Sequence, residues 1–275
     1  MRIDAIGWRA QAALRAGDVR ARVLAALAAA IYLDLGGEVL WLAAPGAVPH
    51  ARAVHVASQP SVPLSALDVE DLLRRARASG LRPWRPDVAA ATAAAAAALR
   101  RGAARLTASV PALGSPRGFG AWLLGAPPEG LLAAAAPRAD ALAQACAAGE
   151  PARAAEAATS LVGLGPGLTP AGDDFVGGAF FARAVLARAG VGDAAAWQHA
   201  ATAVTTAAAR LTHPIGAALL GDLVRGEGWA PLHELAAALA REDQPAALDA
   251  ARRLTRLGHS SGWDLLAGFV AGARG

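Results

Sequence analysis

The chain has no lysine: all 26 of its basic residues are arginine, set against 22 acidic ones for a formal net charge of +4. The sequence pI of 10.7 reflects that one-sided usage rather than a large excess of charge. The arginines fall in short clusters, such as Arg74-Arg75-Ala76-Arg77 and Arg252-Arg253, without a long basic run or interleaved aromatics. Nucleic acid calls for a concentrated basic patch and is not the partner indicated; solvated helix faces and a small anionic substrate fit better. Cysteine is as scarce. Cys146 stands alone, so no intrachain disulfide can form, and a cytoplasmic protein is the expectation. It sits in an alanine-rich stretch at 139–148 and reads as a small core residue. Long apolar runs are missing too. Residues 23–33 fall short of the roughly 20 needed to cross a bilayer, and Asp4, Arg9, Arg15, Asp18 and Arg20 interrupt any leader peptide. No membrane association is expected.

What is present is 55% hydrophobic sequence over 275 residues, enough for one large core or two smaller ones. The pattern predicts an α+β protein: a mixed, β-rich N-terminal half with a hairpin at 1–125, and an all-helical bundle at 126–275. In the first half, residues 23–33 are alanine-rich enough for a helix. Residues 31–35 and 38–42, joined by Gly36-Gly37, read as a β-hairpin, and residues 54–56 as a further short strand. Pro45, Pro49, Pro60 and Pro63 punctuate the loops between. Helices are expected at 66–78, with acids first and arginines last, and at 88–101. The Gly- and Pro-rich segment 109–128 reads as the change-over; Arg117-Gly118-Phe119-Gly120 in it could reach the site, with a simply exposed arginine as the plainer reading. After it helices are expected at 131–148, 152–161, 175–189, 194–210, 214–225, 232–241, 245–257 and 263–273, with short Gly/Pro breaks.

The bundle carries one distinctive stretch twice. Leu164-Gly165-Pro166-Gly167-Leu168-Thr169-Pro170-Ala171-Gly172-Asp173-Asp174 runs into an apolar segment, with Thr169 read as an N-cap and Pro170 as the first helical residue. Near the C-terminus comes Gly258-His259-Ser260-Ser261-Gly262-Trp263-Asp264-Leu265-Leu266-Ala267-Gly268. Aligning Gly172 with Gly262 places Asp174 on Asp264 and Gly178 on Gly268. Both copies read Gly-x-Asp with a second glycine four residues beyond the Asp, on the same helix face. Early helical N–H groups lack intrahelical partners and favour an anion, so two such starts facing one another would frame a site.

At these residues the chain resembles a known family. GLGPGLTPAGDDFVGG, THPIGAALL and LGHSSGWDLLAG look like the signature blocks of a former domain-of-unknown-function family that includes the AllH-type subunit of oxamate carbamoyltransferase, an enzyme of allantoin degradation. IYLDL, GGEVLWL and PHARAV are similar more loosely. Ala171 departs from the serine expected there. The resemblance implies carbamoyl transfer between carbamoyl phosphate and oxamate, with oxalurate as the carbamoylated acid. It also implies an acyl-CoA-synthetase-like FdrA-type subunit and a second carbamoyltransferase subunit as partners.

On that reading the backbone around Gly165, Gly167, Thr169 and Gly172, and around Ser260, Ser261 and Gly262, would bind substrate oxygens, with Asp173 and His213 nearby. Asp174 and Asp264 would orient the amide nitrogen, and His259 would carry a proton. The plainer readings compete. Acids early in a helix are favoured by its dipole without any function. His259 beside two serines is better read as capping than as a nucleophile and base, and no G-x-S-x-G elbow is present. His199, His213 and His233 lack metal-ligand spacing, so no metal site is assigned, although a loosely held Mg²⁺ on Asp173 or Asp174 stays open. Two other functions remain as alternatives: a non-catalytic scaffolding subunit, and a metal-assisted hydrolase or lyase of small ureido acids.

Overall fold

The computed structural model describes residues 2–17, 20–57 and 67–274. The chain divides into two compact units, Met1–Pro86 and Asp87–Gly275.

The first unit is a five-stranded sheet in the order β1 (Ile3–Ile6), β5 (Ala53–Val56), β4 (Glu38–Ala43), β3 (Ala30–Leu35), β2 (Arg22–Ala26), antiparallel except for the β4–β5 pair. The expected hairpin is β3–β4. Gly36 and Gly37 both take positive φ, as a two-residue turn matched to strand twist requires. Asp34 fixes the turn by accepting the Gly37 N–H at 2.8 Å. The period of two in β3 points Ile31, Leu33 and Leu35 into a core with Leu40, Leu42, Val54 and Val56. Helices α1 (Trp8–Ala16) and α2 (Val69–Ala78) supply Ala10, Leu14, Leu72, Leu73 and Ala76 to that core.

Two expectations change here. The helix predicted at 23–33 is instead β2, a turn and the start of β3: alanine's helix propensity, tenths of a kcal/mol per residue, yields to a strand pairing that buries Ile31 and Leu33 completely. Helix α2 starts at Val69 rather than 66, because the Asp68 side chain caps it by accepting the Asp71 N–H. Ala66, Asp18, Pro60 and Pro63, used in the sequence reading, lie outside the described residues.

The second unit is helical: α3 (Ala93–Leu106), α4 (Ala136–Ala148), α5 (Pro151–Thr159), α6 (Ala171–Arg188), α7 (Ala194–Leu211), α8 (Pro214–Leu223), α9 (Ala230–Ala240), α10 (Gln244–Leu254) and α11 (Ser261–Ala273). The segment read as a linker forms two tight 3-10 turns instead, Thr107–Leu113 and Gly118–Leu124, and a third, Gly130–Ala135, precedes α4. Leu99, Ala103, Leu106, Val110, Phe119 and Trp122 join the same core as α4 to α11. The division therefore falls after Pro86 rather than near 125: the 3-10 turns bury large apolar groups in the bundle, which a flexible connection would not do. Cys146 is buried in this core, and burial pushes its thiol up to about 12.

Helix α6 is the axis of the bundle, with nearly every side chain from Ala171 to Arg183 buried. It begins one residue later than its sequence suggests. Pro170, with extended ψ of 145°, is the N-cap, and its carbonyl accepts from the Asp173 and Asp174 N–H groups. Thr169 is therefore displaced from the cap, and its hydroxyl lies 3.4 Å from that of Ser261.

Candidate functional site

The two Gly-x-Asp helices pack against each other. A Cβ on Gly178 of α6 would stand 2.2 Å from the Leu265 carbonyl oxygen and 2.8 Å from the Phe269 nitrogen. A Cβ on Gly268 of α11 would stand 1.9 Å from the Phe175 carbonyl oxygen and 3.0 Å from the Ala179 nitrogen. In the alignment of the two motifs Phe175 matches Leu265 and Ala179 matches Phe269. The contact is reciprocal, so the helices lie side by side, in parallel, about a local two-fold relation. Only glycine permits that approach. Its consequence is that both helix N-termini open at the same end of the bundle.

The carboxyl groups of this end are interior. Asp174 and Asp264 occupy equivalent places, 2% and 0% exposed, and each keeps a buried Oδ2 without a hydrogen-bond partner. Asp264 Oδ1 accepts the Phe119 N–H at 2.6 Å and so fastens the Gly118–Leu124 turn to α11. Burial pushes Asp264 up to about 7, against the Phe119 N–H and the Ser260 hydroxyl, which favour the charged form. Burial likewise pushes Asp174 well above the usual carboxylate range; the Ser261 hydroxyl opposes this, and the charges of Asp264 and Asp173 add to it. Asp173 is raised by burial as well. Its Oδ1 accepts the Gly163 N–H at 2.7 Å and its Oδ2 the Thr212 hydroxyl, tying the glycine turn to the start of α8.

Above them lies a cavity of about 730 Å³. Gly167, Thr169 and Ala171 line it from the first motif, and Gly258, His259, Ser260 and Ser261 from the second. Arg117 stands on its wall; its Nη1 donates to the His259 carbonyl at 3.2 Å and lies 3.3 Å from His259 Nδ1. A guanidinium has no acceptor, so in that contact Nδ1 accepts and a neutral His259 carries its proton on Nε2. The Gly172 and Gly262 N–H groups are taken by the Leu164 and Leu257 carbonyls at 2.8 and 3.1 Å. They are closed to a ligand. Among the described residues no backbone carbonyl takes the N–H of Ala171 or Ser261, the first residue of each helix. These two, with the Thr169 hydroxyl and Arg117, offer donors suited to an oxyanion, while the Ser260 and Ser261 hydroxyls are turned to Asp264 and Asp174.

The structure thus brings together Gly167, Thr169, His259, Ser260 and Ser261 at one surface. It sets Gly172, Gly262, Asp173, Asp174 and Asp264 beneath that surface as buried supports, and Gly165 does not line the cavity. His213 stands apart from it as the N-cap of α8, where its Nδ1 accepts the Ile215 N–H at 3.2 Å. Both oxygens of Asp173 already accept a hydrogen bond, from the Gly163 N–H and the Thr212 hydroxyl. Among the described residues no group of three or more His, Cys, Asp or Glu converges as a metal site. Arg117, for which the sequence offers both an exposed arginine and one that could reach the site, is exposed and stands on the cavity wall, joined to His259 from 142 residues away with no local pattern to link the two. Glu129 and Leu131, also on the cavity wall, carry no sequence signal at all.

Two glycine-turn helix starts thus meet at one cavity of a helical unit. Residues 161–273 match the family model described as oxamate carbamoyltransferase subunit AllH, a span that contains both Gly-x-Asp motifs, and the match supports the family recognised from those motifs. No curated protein and no solved structure matches the chain. No described helix is long and apolar enough to cross a membrane.

Proposed function

We propose that the chain is a subunit of an oxamate carbamoyltransferase-like enzyme, and that the cavity at the α6 and α11 N-termini receives the small anionic reactants. The observation that carries this reading is that Ala171 and Ser261, the helix-start residues whose N–H groups no backbone carbonyl takes among the described residues, line one cavity together with Arg117. In the reaction the amide nitrogen of oxamate attacks the carbamoyl carbon of carbamoyl phosphate. The carbon–oxygen bond to phosphate breaks, phosphate leaves, and the nitrogen gives up a proton to form oxalurate. Arg117 and the helix starts hold the anionic oxygens, and His259, exposed on the rim, carries the proton. Asp174 and Asp264 act from below as positioning residues, since neither lines the cavity. Their burial is the feature that best supports the scaffolding alternative, in which the Asp residues only brace loops.

A family described as a subunit implies a multi-subunit complex. FdrA-type and second carbamoyltransferase subunits are the proposed partners, and the cytoplasm the proposed location. Calorimetry of the purified chain with carbamoyl phosphate, oxamate and oxalurate, with and without Mg²⁺, tests the reading. Binding that falls about tenfold or more in a folded Arg117→Gln variant supports it. Tight binding untouched by that change would move the reactants elsewhere, and no binding of any of the three, alone or with the partner subunits added, would favour the scaffold.

A further inference from the structure

A second cavity, of about 320 Å³, lies between α6, α7 and the residues after α8. It is lined by Arg183, Arg188, Trp197, Gln198 and Arg225 over an apolar base that includes Phe180. It shares no lining residue with the cavity at the helix starts. Arg183 is 12 residues further along α6 than Ala171, which places it about 18 Å up the helix axis.

Arg183 is 4% exposed, and its guanidinium lies 4.3 Å from the Trp197 ring centroid. The buried Nε of Arg183 and the buried indole Nε1 of Trp197 both lack a hydrogen-bond partner among the described residues. The neighbouring groups that bear on the Arg183 charge are Cys146 and Arg100, and neither is a carboxylate. The other two arginines are accounted for. Arg225 pairs with Asp222 at 2.7 Å, while Arg188 donates to the Ala184 and Gly226 carbonyls and feels the charge of Glu227.

A guanidinium stays charged at any ordinary pH, and such a charge is almost never interior without an acid or acceptor beside it. Stacking on Trp197 uses the face of the guanidinium and does not satisfy the buried in-plane Nε–H. We propose that this cavity is a second anion site, in which Arg183 and the Trp197 indole N–H hold the oxyanion group, carboxylate or phosphate, of a small ligand. The planar fork of Arg183 suits two oxygens of either group, and Arg188 and Arg225 supply the positive surroundings.

The test reads the site through Trp197 itself. In ¹⁵N-labelled protein the Trp197 indole resonance is assigned by its loss in Trp197→Phe, then followed during titration with inorganic phosphate and with acetate. A saturable shift with either anion is the expected result, and the anion that produces it tells phosphate from carboxylate as the group recognised. Arg183→Gln should weaken the response about tenfold or more. Gln198→Glu, which adds a like charge at an exposed position and so leaves the fold intact, should weaken it roughly threefold. Arg117→Gln, in the other cavity, should leave it unchanged. No saturable shift with either anion would overturn the proposal. So would a shift of unaltered affinity in Gln198→Glu and in any folded Arg183→Gln protein, which would leave Arg183 as a packing residue on Trp197.

Discussion

Gly178 and Gly268 each rest on the backbone of the other's helix, Gly178 over the Leu265 carbonyl and Gly268 over that of Phe175. The pairing lets α6 and α11 run together closely enough for their N-termini to share one cavity. Because the obstruction at Gly268 is backbone, a methyl group there cannot be accommodated by a rotamer change. Gly268→Ala should cost about 2–3 kcal/mol or more in urea unfolding. Gly221→Ala is the contrast: it is helical and buried, but its nearest neighbour would be the flexible Arg225 side chain at 3.7 Å. That variant should be neutral or stabilising by up to about 1 kcal/mol from helix propensity. Equal losses in both would mean that the helix pair is not held by this contact.

Asp264 gives stability a pH dependence of defined sign. Its carboxyl is raised in the folded chain to about 7, whereas an unfolded chain releases that proton near pH 4. Between those values the folded state binds more protons than the unfolded one, so stability falls as pH rises, at up to about 1.4 kcal/mol per unit for this group. Asp174 and Asp173 are shifted the same way by burial and push in the same direction. Asn at 264 keeps an oxygen for the Phe119 N–H and cannot ionise. Asp264→Asn should therefore show a flatter profile from pH 4.5 to 7.5 and gain on the wild type at the upper end. A wild type whose stability climbs steadily across that window would contradict this.

Both Gly-x-Asp motifs were legible in the sequence because their chemistry is local: glycine, proline, hydroxyl and acid within eleven residues announce a turn feeding a helix. The β3–β4 hairpin was legible for the same reason, through Gly36-Gly37. Long-range facts were not. Arg117 reaches the cavity because Asp264 fastens the Phe119 N–H from 145 residues away, and no spacing rule carries that information. The strand at Arg22–Ala26 was hidden by alanine, whose helix preference is too weak to resist a neighbour strand. Nor does a sequence distinguish an aspartate on a cavity surface from one just under it. Asp174 and Asp264, read from the sequence as orienting the substrate's amide nitrogen, are buried and line no part of the cavity, at the end of the bundle where the glycine contacts draw α6 and α11 together.

The Thr212–Asp173 hydrogen bond separates bracing from binding. Thr212→Val keeps the shape of the side chain and removes the hydroxyl that Asp173 Oδ2 accepts, leaving a buried carboxylate oxygen unsatisfied. A loss of about 1–3 kcal/mol in unfolding free energy is expected. Affinity for carbamoyl phosphate should be unchanged, since neither Thr212 nor Asp173 lines the cavity. Impaired binding with unimpaired stability would instead place Asp173 in contact with the ligand.

Arg117 and His259 form one unit on the cavity wall, and their separate removal should have different signatures. Arg117→Gln deletes the only arginine lining this cavity among the described residues, on an exposed side chain, so stability should hold while affinity for each anionic reactant falls about tenfold or more. High salt should mimic part of that loss in the wild type and little of it in the variant, because screening acts on a charge that the variant no longer has. His259→Ala leaves the guanidinium and the His259 carbonyl it donates to, so binding should survive. In the reconstituted complex the same variant should lower kcat with little change in KM, because a proton carrier acts in the transition state rather than in the bound reactants. If His259→Ala raised KM and spared kcat, the imidazole would be a binding group, and the proton from the oxamate nitrogen would have to leave by another route.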